Sequence, residues 1–142
     1  MPQVSLSSPV TDAAPQPTNS NEQTLAMLIW LIDFVLNFIG PLALWLLWRR
    51  QSKFIDHHGK VWLNHTLTVL LLVLLACAVL GPPAAVALWW ADAPWTTIVL
   101  VGLIVLVMLG LFLFSLVIHV IAAVKAMGGV WYQPPLCWRI VK

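Results

Sequence analysis

Residues 49–60, Arg-Arg-Gln-Ser-Lys-Phe-Ile-Asp-His-His-Gly-Lys, interrupt the most constraining feature of this chain, its apolar runs. The runs on either side are each about 20 residues or longer, the length a helix needs to cross the hydrocarbon layer. In that layer each backbone N–H and C=O must find its partner inside the chain, so such runs restrict the fold to membrane helices. The interruption holds Arg49, Arg50, Lys53 and Lys60, four of the chain's seven Lys and Arg residues. A short cationic loop between two spans is held on the cytoplasmic face.

Composition agrees with lipid as the main solvent. Charged residues make up 8%, against roughly a quarter in soluble domains, while the hydrophobic fraction is 61% and the mean hydropathy +0.94. The 142 residues leave room for one domain. A net charge of +2 is too small to argue for nucleic acid, and its placement in one loop and one tail suits anionic headgroups. The expected partners are the lipid bilayer and other membrane proteins or a second copy, with no nucleic acid. Cys77 lies deep in the second run and Cys137 follows the last, too far apart for a disulfide.

Taken in order, residues 1–23 carry Pro2, Pro9, Pro15 and Pro17 among Ser, Thr, Asn and Gln, without Lys or Arg. That composition predicts a disordered tail, and it lacks the basic start of a secretory signal. A membrane domain over 24–142 follows. Its first span covers about 24–48, with a kink at Gly40-Pro41 where proline removes an amide donor. The second covers about 61–80 and stops at Gly81-Pro82-Pro83, with Trp89, Trp90 and Trp95 at the far interface and Asp92 the loop's one charge. The third covers about 97–124, is longer than needed, and should tilt. Gly102 and Gly110 offer it close neighbours, and Gly128-Gly129 end it. Residues 128–142, with Trp131, Tyr132, Trp138, Arg139 and Lys142, form an interfacial segment. Counting cations by side predicts an all-α polytopic bundle of three transmembrane helices, N-terminus outside and C-terminus inside.

No Gly-rich phosphate loop, nucleophile–base set or CxxC pair is present, so neither enzyme activity nor a cofactor is expected. His57, His58, His65 and His119, with Asp56 and Cys137, lack recognised metal-ligand spacing, and no metal is expected. Polar residues inside the spans are the remaining candidates: Asp33 with Asn37, Asn64 with Thr68, and Ser115 with His119, each pair four apart on one helix face. Helix packing through hydrogen bonds and a polar conduction path are the competing readings. On a continuous first span Asp33 lies roughly 22 Å above the inner end and His119 roughly 9 Å, which keeps them apart. In the loop, Phe54 reads as an interfacial insert, Lys53 and Lys60 as phosphate contacts, and Asp56 as the cap of the second helix.

Gly40-Pro41-Leu42, Trp45-Leu46, then Phe54 through Asn64, and finally Ile121 through Lys125 with Gly129-Val130-Trp131-Tyr132, Pro135-Leu136 and Arg139 resemble a known family. It comprises small, mostly bacterial, uncharacterised membrane proteins similar to the Tic-twenty subunit of the chloroplast inner-envelope translocon. This chain departs from it at His65-Thr66-Leu67-Thr68, where the family usually reads Phe-Gln-Leu-Thr. The resemblance implies membrane residence and no catalytic residues. Phe54, Asp56, His58, Gly59, Lys60 and Asn64 then form a structural or interaction motif. The expected protein is a structural or interaction component of a complex in the bacterial inner membrane. The alternative is a translocation or transport component with a polar path near Asp33, Asn37 and Gly40.

Overall fold

The computed structural model describes residues 19–89, 94–135, 138 and 141. They form four helices: α1 (Ser20–Leu36), α2 (Ile39–Trp48), α3 (Lys53–Trp89) and α4 (Pro94–Met127). Most of the expected tail, and the readings on Trp90, Asp92, Leu136, Cys137, Arg139 and Lys142, fall outside the described residues. Residues 20–23 are the first turn of α1, which Glu22 helps to start by accepting the Asn19 N–H at 3.3 Å.

The first apolar run differs most from expectation. It is two short helices rather than one kinked span. The break falls at Asn37, whose φ of 48° and ψ of −151° turn the chain sharply. Pro41 does not cause it. That residue stands in the first turn of α2, where its missing N–H would have no helical acceptor in any case. At Gly40 the missing side chain lets α2 lie on α1, since a Cβ there would meet the Leu36 Cβ at 2.7 Å. The two helices fold back as a hairpin, because Trp48 at the end of α2 shares a hollow with Asn21, Thr24 and Leu25 at the start of α1. The chain therefore returns to the level at which α1 began.

The expected basic loop is mostly helix. Ser52 caps α3 by accepting the Ile55 N–H at 3.4 Å, so Asp56 is not the cap, and only the residues between Trp48 and Lys53 turn. At its other end α3 runs through Pro82 and Pro83, the expected stop, to Trp89. An interrupted helix in lipid would leave backbone groups without partners, which offsets the cost of the two prolines. The end of α4 is where Gly128-Gly129 predicted. Gly129 takes φ 71°, and the Val130 and Gly129 N–H groups return to the Lys125 and Ala126 carbonyls at 2.9 and 3.0 Å.

The core sits at one end of the molecule. Ile29, Trp30, Trp45, Ile55, Val61, Trp62, Ile118, Ala122 and Ala123 pack together, and Ala26, Phe54 and Ala126 form a smaller cluster beside them. The alanines of α4 let α1 come close. Farther along, α3 and α4 continue as a pair with apolar side chains turned outward. Of the most apolar 18 residues in α3 only 6% are buried, and of those in α4 none, the reverse of a soluble core helix. Among the described residues these two helices are long and apolar enough to cross a membrane, whereas α1 and α2, with 17 and 10 residues, are not. The expected glycine contacts are not made: nothing lies within 4 Å of a Cβ built at Gly102 or Gly110.

Candidate functional site

The hairpin brings α1, α3 and α4 around one partly buried polar cluster. Asp33 comes from α1, His65 from α3, and Ser115 and His119 from successive turns of α4. The His119 Nε2 donates to the Asp33 carboxylate at 2.9 Å. This pair is the one that depths counted on a continuous first span kept apart. With the chain reversed at Asn37, Asp33 is reached from Ser20 at the core end, and the two residues meet. The His119 Nδ1 lies 2.8 Å from the Ser115 carbonyl oxygen and 3.4 Å from its hydroxyl. A ring carrying both protons donates to carboxylate and carbonyl at once; a neutral ring takes the hydroxyl proton instead. The hydroxyl also lies 3.2 Å from the His65 Nε2. Four side chains on three helices are thus joined in one chain.

Aromatic rings flank the cluster. Trp30 is fully buried and presents its edge to His119 at 5.3 Å, Phe34 stands 5.4 Å from the same ring, and His65 is 5.4 Å away. His119 is 5% exposed and Asp33 22%, so one end of the chain reaches the surface. The other end opens to a groove of about 290 Å³ lined by His65, Thr68, Leu72, Phe114 and Trp138. Asn37 and Gly40, expected beside Asp33, are elsewhere: Asn37 is exposed at the hairpin turn and Gly40 is packed between α1 and α2.

A second network uses the motif at the start of α3. Trp45 lays its indole on the backbone of Gly59, leaving no room for a Cβ, and donates from Nε1 to Asp56 at 3.1 Å. Asp56 also pairs with Lys60 at 2.7 Å, and Arg49 stacks on the Trp45 ring at 5.3 Å. Lys60 is therefore occupied by Asp56, while Lys53 is exposed. Phe54 is 2% exposed and packs on Ala26, Ala126 and Trp131, so it is a core residue and not an interfacial insert. The reason is that residue 54 lies on the helix face that α1 and α4 cover.

The same stretch holds the segment that follows α4. His58 accepts from the Trp30 indole at Nδ1 (3.4 Å) and donates from Nε2 to the Val130 carbonyl at 3.2 Å, which a neutral Nε2–H tautomer satisfies. His57 donates to the Tyr132 carbonyl at 3.1 Å. Asn64 makes a two-way bond with the Val141 backbone, receiving its N–H at 2.7 Å and donating to its carbonyl at 3.0 Å. Thr68 bonds the Asn64 carbonyl and takes the Trp138 N–H at 3.3 Å. The motif thus contacts both the hairpin and the C-terminal segment. Trp30 was missed from sequence, while His65 was weighed only as a metal ligand and Trp45 only as part of a family stretch, because a lone aromatic or histidine in an apolar run carries no pattern until its neighbours are known. Among the described residues no group of three or more His, Cys, Asp or Glu side chains converges to hold a metal ion.

Residues 21–141, most of the chain, match a family model, MamF/MmsF, described as the magnetosome magnetite crystal formation protein family. No curated protein and no solved structure matches. The family match overturns the expected kinship with Tic-twenty-like proteins. The stretches that suggested that kinship lie inside the matched region, and they are largely the residues that lock the core end together.

Proposed function

This chain belongs to the magnetosome magnetite crystal formation protein family, and from that premise we propose that it is a non-enzymatic structural or interaction component of a membrane complex serving crystal formation. The observation that carries this reading is the fate of the polar side chains. Asp33, His65, Ser115 and His119 are spent on each other across three helices, and His57, His58 and Asn64 on the C-terminal segment. What faces outward from α3 and α4 is apolar, the surface that lipids or neighbouring membrane helices cover. A packed polar-and-aromatic end and an outward apolar flank are the features that support a scaffold role.

Location and orientation follow by the same reasoning. Arg49, Arg50, Lys53, Lys60 and Lys125 lie at the core end of the helices, which favours that end on the cytoplasmic side of an inner-membrane-type bilayer. Two crossings, by α3 and α4, then place the start of α1 inside as well. Native mass measurement in several mild detergents and in lipid tests the interaction role: a defined complex is expected, and monomer in every condition refutes it.

One observation favours a second reading, a conduction path. The chain from Asp33 through His119 and Ser115 to His65 runs from a partly exposed carboxylate to a groove. Asn37 and Gly40 have no part in it. Unchanged ion or proton flux in vesicles carrying Asp33→Asn, relative to the parent chain, excludes this reading.

A further inference from the structure

The α1–α2 hairpin is built to the depth of half a bilayer. Its apolar arms, residues 25–36 and 39–48, rise about 18 and 15 Å, against a hydrocarbon layer of about 30 Å. Polar groups mark its open end, with Asn19, Ser20 and Asn21 at one foot and Arg49, Arg50 and Gln51 at the other. Apart from Asn37 at the turn itself, the closed end is apolar: Val35 and Ile39 are each 77% exposed, and Phe34, Leu36 and Phe38 are exposed beside them. Water would penalise such a tip, and acyl chains would not. Its turn is short, with the Gly40 N–H returned to the Asn37 carbonyl and the Leu42 N–H to the Phe38 carbonyl, which satisfies part of its backbone internally.

The opposite half of the molecule has no counterpart. Beyond His65, the only buried residue among those described in α3 is Ala84, and α4 has none before Ile118. Helices are about 10 Å across, so one leaflet accommodates four of them and the other two. We propose that the hairpin is a one-leaflet wedge that makes the protein curvature-selective, concentrating it where the leaflet holding α1 and α2 is convex. A convex leaflet has surplus area at its surface, and the added pair of helices fills it. The wide end is more stable there than in a flat leaflet, and that difference in affinity alone moves the protein. The occupant of the apolar tip is lipid tails, because its two feet are polar at one level and its depth matches one leaflet.

Tethers drawn from giant vesicles of phosphatidylethanolamine and phosphatidylglycerol test this. The full chain carries Lys53→Cys with Cys77→Ser and Cys137→Ser, and it is labelled after reconstitution with an impermeant fluorescent maleimide. Only molecules whose wide end faces the bath are then seen. Their density on narrow tethers is expected to exceed that on the parent vesicle about two- to threefold. Adding Val35→Lys and Ile39→Lys places charge on the tip without touching the core, and the ratio should fall toward one while helical circular dichroism is unchanged. Equal or lower density of the starting chain on tethers overturns the proposal. So does a folded double-lysine variant that sorts as before, or a tip covered by a second copy that leaves sorting absent.

Discussion

Two residues show how closely the core end is fitted. Gly59 has the Trp45 indole against its backbone, and Asp56 holds that indole through Nε1, so the ring cannot simply rotate away. Gly59→Ala should cost about 1–3 kcal/mol through overpacking, seen as a lower melting temperature in detergent. Gly102→Ala, with open space around it, should be neutral or raise stability by up to about 1 kcal/mol. Asn64 is 4% exposed and bonded both ways to the Val141 backbone. Asn64→Ala should release the C-terminal segment: amide exchange at Val141 and Trp138 should rise clearly while the helical signal stays constant. Protection that remains as before would mean the asparagine contributes nothing to holding it.

At the scale of elements, the turn between α1 and α2 decides more than any helix. Asn37 takes a backbone conformation that glycine adopts freely and other residues at a cost of about 1–3 kcal/mol. Asn37→Gly should therefore raise the melting temperature, and Asn37→Val should lower it, by crowding a β-branched side chain at positive φ. The opposite order would mean that the hairpin is not held by this residue. The other element whose length decides the architecture is α3. Its first two turns carry the motif from Phe54 to Lys60 into the core, while among the described residues its far half pairs with α4. A single helix thus serves as both spine of the packed end and half of the membrane pair.

At the scale of the whole molecule, the hairpin bears on how many times the chain crosses, which labelling can count. If α1 and α2 return on themselves, single cysteines at Asn21 and Lys53, with Cys77 and Cys137 replaced, should react with an impermeant thiol reagent from the same side of an intact membrane. Reaction from opposite sides would restore a continuous first span and three crossings. The far end, where α3 and α4 stand alone, should be the part whose lipid contacts vary most with bilayer thickness, since each helix rises about 50 Å or more.

Sequence alone determined the solvent, the helical class and the end of α4. The apolar runs, the clustering of cations and the Gly128-Gly129 pair act over short range, and no distant contact alters their meaning. It also marked Asp33, Ser115, His119 and Asn64 as polar groups needing partners in lipid. Only the tertiary structure decided who those partners are. A proline in an apolar run suggested a kink, but Asn37 sets the turn, and the choice between bend and reversal depends on whether α2 can bury Trp45 against Ile29, Trp30 and Gly59. That burial is a sum over contacts from three helices, which no single window of sequence contains.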